Sequence, residues 1–174
     1  GKPKYQGFEG FDQGFGPGQG GRFRWSSAGD PGRIHTGDNL KGLFRGRPGF
    51  GRSVRPGDVI LAGANFGIGS SREQAASVLV HLGIAAVIAP SYGGLFFRNA
   101  FNVGLLLLTC PRALDIADGV ALRFDAREGY VALNGGVRLA VEPIPGFLLD
   151  RIDAGGLLPE LKERFAAAAG RTEN

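Results

Sequence analysis

The 174-residue sequence contains a single cysteine, Cys110. One thiol excludes an internal disulfide framework and any cysteine-based metal cluster held by this chain alone. Long apolar runs are missing too: none approaches the roughly 20 residues that a bilayer-spanning helix needs, and no signal peptide is visible. A soluble, cytoplasmic protein without membrane contact is the expectation. Nor does one sign of charge dominate. The formal charge of +4 comes from arginines spread along the chain with acidic residues interspersed, which is a weak attraction for acidic partners and no case for nucleic acid by itself. No internal repeat occurs.

What the sequence has in abundance is glycine, at 31 residues. Many fall between Gly1 and about Gly21, where Phe8, Phe11 and Phe15 recur at short spacing. Because glycine costs much backbone entropy to order, this segment reads as an extended arm or flexible tail. The competing reading adds Arg22, Arg24 and Trp25 and makes it an RGG-like nucleic-acid segment, with aromatics stacking and arginines on phosphate. The phenylalanines could also anchor the arm on a partner. The chain thus divides into an arm, 1–21, and one folded domain, 22–174, long enough to bury a real core.

A strand is expected near Arg22 to Trp25, and Asp30-Pro31-Gly32 is a turn by residue type. His35 and Asp38 come next in a loop, two candidates that fall short of a metal-ligand set. Lys41 to Pro56 carries Arg45, Arg47, Arg52 and Arg55 among glycines and prolines. It reads as a solvated basic loop or as a rim that attracts an anionic substrate.

From Asp58 the pattern becomes regular. Asp58 to Ala62, Ile84 to Ala89 and Leu105 to Leu108 are short apolar runs. Between them lie helical spacings, one from Ser71 to about Leu82 with Gly83 as its cap, one from Leu95 to Val103 ended by Gly104. Fully apolar strands alternating with helices predict a parallel βαβαβ arrangement covered on both faces. Its post-strand loops would line one edge, where ligands of open α/β sheets bind. The last third differs. Val120 to Phe124, Tyr130 to Leu133 and Val137 to Val141, with the turn Asn134-Gly135-Gly136, predict antiparallel β structure. Phe147 to Ile152 and Pro159 to Ala169 read as closing helices.

The chemistry concentrates in Gly63-Ala64-Asn65-Phe66-Gly67-Ile68-Gly69-Ser70-Ser71-Arg72-Glu73-Gln74-Ala75. The stretch sits on a strand-to-helix turn, where unpaired N–H groups and the helix dipole suit a carboxylate or phosphate. Ser70 and Glu73 have capping-box spacing, which explains those two without any function. The glycines and Arg72 remain. An arginine in a first turn opposes the dipole unless a bound anion compensates it, and guanidinium matches a carboxylate in bidentate fashion.

Residues 65–75 closely resemble the N-F-G-x-G-S-S-R-E-H-A motif of the aconitase swivel-domain family, in particular its isopropylmalate dehydratase small-subunit branch. The resemblance continues through Ala86-Val87-Ile88-Ala89-Pro90-Ser91-Tyr92, Phe97-Arg98-Asn99, Asn102-Val103-Gly104-Leu105-Leu106 and Ile152-Asp153-Ala154-Gly155-Gly156-Leu157. It spans roughly Pro56 to Arg164. Four features depart from the pattern: Ile34-His35-Thr36-Gly37 stands where D-x-I-x-T-D is usual, with the acid displaced to Asp38; the segment that follows, which in the family helps select the substrate side chain, is shortened and rich in Gly, Arg and Pro; Gln74 replaces a histidine; Leu107 replaces a proline.

The resemblance implies a swivelling β/β/α domain of the α/β class, a mixed sheet with a βαβαβ core and C-terminal helices. It implies the small subunit of a heteromeric hydro-lyase that isomerises a hydroxy di- or tricarboxylate by dehydration and rehydration. The [4Fe-4S] cluster of such enzymes needs three cysteine ligands, so a large partner subunit would hold it and this chain would bind no metal. By the same resemblance Ser70 is the catalytic base, and Arg72, Ser71, Gly69, Thr36 and Asp38 contact the substrate. Two alternatives stay open: a homoaconitase or other alkylmalate hydro-lyase subunit, motivated by the altered region from Thr36 to Pro56, and a non-catalytic paralogue binding a protein or RNA. Self-association is also open.

Overall fold

The structure, a computed structural model, describes residues 54, 56–68, 73–117, 121–133 and 135–169, together with the backbone alone of 20–26; Ala121 is likewise described by its backbone. The described strands form one seven-stranded sheet in the order β4-β3-β2-β1-β5-β6-β7. In chain order these are β1 (Gly20–Ser26), β2 (Asp58–Leu61), β3 (Ala86–Ala89), β4 (Leu106–Thr109), β5 (Ala121–Asp125), β6 (Tyr130–Leu133) and β7 (Arg138–Ala140).

The parallel half is the predicted βαβαβ unit. Strand β2 pairs with β3, and β3 with β4, in parallel. Every residue of β2 and β3 is buried, as expected of strands covered on both faces. The crossovers are helices α1 (Gln74–His81) and α2 (Gly94–Asn102). Helix α1 buries Ala75, Ala76 and Leu79, and α2 buries Phe96, Ala100 and Phe101. Both end in a Schellman arrangement: Ile84 N–H donates to the Leu79 carbonyl and Gly83 N–H to that of Val80, while Leu105 N–H donates to the Ala100 carbonyl.

The antiparallel half alternates instead. In β5 Leu122 and Phe124 are buried while Arg123 and Asp125 are half-exposed, and in β7 only Leu139 is buried. It is not a separate appendage, because β1 lies parallel to β2 on one side and antiparallel to β5 on the other. After β7 the chain returns to the far edge, where Glu142 N–H donates to the Thr109 carbonyl at 2.8 Å. The sheet therefore curls until its two outer strands nearly meet. Its aliphatic interior, from Val59 to Leu139, is the core.

Helices α3 (Gly146–Ala154) and α4 (Leu157–Ala169) close the domain. Their junction crosses the end of α2 at backbone distance: a Cβ on Gly156 would lie 2.6 Å from the Asn102 carbonyl oxygen, and one on Gly104 would lie 2.8 Å from Gly155. Arg151 completes the joint, with Nε donating to Glu160 at 2.8 Å and Nη1 to Asn102 at 3.1 Å.

Candidate active site

Strands β1 to β4 are mutually parallel, so the chain leaves all of them on one edge, with Ser26 at the end of β1 beside Leu61 at the end of β2. Two of the exits are tied together. The segment after β2 runs through Asn65 and Phe66, and the segment after β3 through Ser91 and Tyr92; Phe66 and Tyr92 form an isolated parallel bridge. Phe66 N–H donates to the Ser91 carbonyl at 3.0 Å, and Gly93 N–H donates to the Phe66 carbonyl at 2.9 Å. The Ser91 hydroxyl accepts the Asn65 N–H at 2.8 Å and approaches Asn65 Oδ1 at 3.4 Å.

The glycines here serve close approach. Gly67 has φ +78°, and a Cβ on it would lie 2.2 Å from Phe96 Cγ. The Phe96 ring is itself fixed edge-on against Phe66, with centroids 5.3 Å apart. A Cβ on Gly93 would lie 2.9 Å from Ile68 Cα. Ile68 N–H donates to the Asn65 carbonyl at 3.0 Å, closing the turn that leads toward Gly69.

Tyr92 anchors the second exit from below. Its hydroxyl lies 2.8 Å from the Val87 carbonyl oxygen and 2.9 Å from that of Leu108, bridging β3 and β4. Burial pushes the phenol well above its ordinary value, with backbone hydrogen bonds opposing the shift. Cys110, at the exit of β4, is fully buried, and burial likewise raises its thiol.

Of the residues expected to act, Ser70, Ser71, Arg72, Gly69, Thr36 and Asp38 all lie outside the described residues, as does His35. The structure describes the residues on either side of that stretch: Ile68 before it and Glu73 after it. One expectation is corrected. Helix α1 begins at Gln74, not Ser71, and Glu73 is its N-cap residue with no side-chain capping bond, so Glu73 does not occupy the third helical position that a capping box requires. The Glu73 carbonyl takes the first helical bonds instead, from the N–H groups of Ala76 and Ser77. Gln74 is exposed at the helix start, and Leu107 is buried in β4. Sequence reasoning passed over the grip of Ser91 on Asn65. The signal was an Asn-Phe-Gly turn together with a serine just past the neighbouring strand.

The arrangement defines a class of domain: residues 54–113 match the aconitase C-terminal domain family. Among curated relatives, the chain is 46% identical over 117 residues to 3-isopropylmalate dehydratase small subunit 1 of Methanopyrus kandleri, covering 66% of this chain and 69% of that protein. It is 41% identical over 121 residues to the isopropylmalate/citramalate isomerase small subunit of Methanocaldococcus jannaschii, covering 68% and 72%. The crystal structure of a 3-isopropylmalate dehydratase from Methanocaldococcus jannaschii superposes with a TM-score of 0.69 at 33% identity, over 86% of this chain and 98% of that one. The chain belongs to the 3-isopropylmalate dehydratase small-subunit family.

Proposed function

We propose that this chain is the small subunit of a heteromeric hydro-lyase that isomerises 3-isopropylmalate by removing and re-adding water, a step of leucine biosynthesis. The observation that carries the reading is the doubly tied edge at Asn65-Phe66-Gly67-Ile68, which delivers the Gly69-Ser70-Ser71-Arg72 sequence from the end of a buried parallel strand. Relatives named for this activity support it. In the division of the chain we propose, the arm expected over 1–21 ends before Gly20, where β1 begins, and the swivel domain runs from there to 174.

A [4Fe-4S] cluster takes four thiolates, or three where one iron is left open to substrate. This chain has one cysteine, and Cys110 is fully buried with a raised thiol, a poor ligand set. The cluster therefore belongs to a large partner subunit. When bound there, it supplies a Lewis acid for the departing hydroxyl. The exposed apolar side chains of Ile68 and Leu95 near this edge support a covering partner.

The small subunit's share is proton transfer and carboxylate binding. Arg72 pairs with a substrate carboxylate, Ser71 and the Gly69 backbone add hydrogen bonds, and Thr36 and Asp38 complete the substrate contacts. Ser70 moves the proton. Its hydroxyl is hardly acidic in water, and a neighbouring guanidinium with backbone N–H groups stabilises the alkoxide by fixed electrostatics. Ser70→Ala, assembled with the large subunit, loses at least about a hundredfold in turnover while keeping assembly. Near-normal turnover in that variant would remove the serine-base assignment. Citramalate in the name of one relative favours a second substrate of the alkylmalate class, and competition between the two acids on one complex ranks them.

A further inference from the structure

We infer that Ser91 is a positioning residue for this reaction: its hydroxyl locks Asn65 in a left-handed conformation and so sets the path of the chain into the serine–arginine turn. The inference rests on the function proposed above and adds a residue from a different strand exit to its machinery.

Asn65, at φ +61°, is the only non-glycine residue with positive φ among those described. L-residues adopt this conformation at a cost, asparagine more readily than most, and such residues persist where their surroundings over-determine them. Among the described residues, the side chain that holds it is that of Ser91. Ser91 Oγ accepts the Asn65 N–H at 2.8 Å and turns toward Asn65 Oδ1 at 3.4 Å. Asn65 in turn orients the residues after it, since its carbonyl accepts the Ile68 N–H at 3.0 Å. Were Asn65 to swing to the right-handed region, the turn from Asn65 to Ile68, whose closing bond depends only on the torsions of Phe66 and Gly67, would pivot as a unit and carry Gly67 against or away from Phe96. Gly67 has no slack on that side: even a Cβ there would lie 2.2 Å from the ring. Ser70 stands only two residues beyond Ile68, so a shift at Asn65 is passed on to it.

Positioning is separable from folding at this site. The two strand exits are also held by backbone bonds, from Phe66 N–H to the Ser91 carbonyl and from Gly93 N–H to the Phe66 carbonyl. These survive removal of the hydroxyl. Only the grip on Asn65 is lost, and a misplacement of the reacting group by about 1 Å costs on the order of a hundredfold in rate.

The test uses the small subunit co-expressed with its large subunit. Ser91→Ala lowers kcat by about ten- to a hundredfold, with KM within about twofold and an unchanged unfolding midpoint; Ser91→Thr, which restores the hydroxyl, restores most of kcat. Asn65→Ala keeps the backbone N–H that Ser91 holds and loses the side chain's tolerance of the left-handed region, so its loss is smaller than that of Ser91→Ala; because both act on one backbone conformation, the double variant loses less than the two losses added together. Asn65→Gly, for which the left-handed conformation is free, retains more kcat than Asn65→Ala. Wild-type kcat in Ser91→Ala, a loss that Ser91→Thr does not repair, fully additive losses, or Asn65→Ala outperforming Asn65→Gly would each overturn the inference. If the wild-type complex itself is inactive, the fault lies in the functional reading. The inference is then read from amide exchange at Asn65 in the full chain, which Ser91→Ala speeds by about fivefold; equal exchange rates would refute it.

Discussion

Gly67→Ala adds one carbon to the candidate active site, and the structure says where that carbon goes. It would lie 2.2 Å from Cγ, 2.6 Å from Cβ and 2.7 Å from Cδ1 of Phe96. Phe96 is 2% exposed and braced edge-on against Phe66, so the ring has nowhere to retreat. The backbone at φ +78° adds a left-handed penalty of about 1–2 kcal/mol, and overpacking adds about 1–3 kcal/mol. A loss of about 3 kcal/mol lowers the melting temperature of a chain this size by about 6–12 °C. Urea unfolding followed by circular dichroism measures it. Gly94→Ala is the control, since a Cβ there meets nothing within 4 Å, and replacing glycine at an unstrained helical position is neutral or stabilising by up to about 1 kcal/mol. Phe96→Ala removes Cγ and Cδ1 and so relieves part of the clash, and the double variant with Gly67→Ala loses less than the two single losses added together. The reasoning fails if Gly67→Ala stays within about 0.5 kcal/mol of wild type, or if Gly94→Ala costs as much.

Gly156→Ala drives a Cβ to 2.6 Å from the Asn102 carbonyl oxygen at φ +118°; we expect a loss of about 3 kcal/mol or more, with helix α4 becoming the first segment cut in limited proteolysis. Glu160→Gln removes the ionic partner of Arg151 in a pair about 20% exposed and costs about 1–2 kcal/mol. Arg112→Ala, in a pair with both side chains more than half exposed, changes urea stability by no more than about 0.5 kcal/mol. Tyr92→Phe strips a hydrogen bond from the Val87 and Leu108 carbonyls, at about 1–2 kcal/mol. Because burial raises the Tyr92 phenol above its unfolded value, the contribution of its proton is fully present below about pH 10 and is lost as pH rises beyond it. Tyr92→Phe therefore flattens the fall in stability above that pH, as unfolding midpoints across an alkaline pH series would show.

The parallel half was legible because it obeys local rules. Three apolar runs too short for helices gave β2, β3 and β4, and Gly83 and Gly104 marked the ends of α1 and α2 where the structure has them. The antiparallel strands showed through alternation and the glycine turn near Gly135. The junction between the halves was not legible. Strand β1 alternates through Arg22-Phe23-Arg24-Trp25, which announces a strand but not that it pairs in parallel on one side and antiparallel on the other. The return of Glu142 to Thr109 is a backbone contact between residues that carry no pattern. At the site, the motif was plain from its glycines, serines and arginine, and the structure adds two neighbours that hold it in place: Phe96 behind Gly67 and Ser91 beside Asn65. The start of α1 was misjudged because serine and glutamate at capping-box spacing fit one register as well as another. The register actually taken is set by which carbonyl, that of Glu73, receives the first helical bonds.

The central claim is that this chain completes an isopropylmalate-isomerising enzyme without bringing a cluster of its own. It is tested most directly by co-expressing the chain with a cluster-bearing large subunit and measuring turnover of 3-isopropylmalate, with and without this chain. The account predicts co-purification in a defined ratio, iron that resides entirely in the larger subunit, and turnover only when both chains are present. A complex that assembles with its cluster loaded and yet turns over neither 3-isopropylmalate nor another alkylmalate would contradict it.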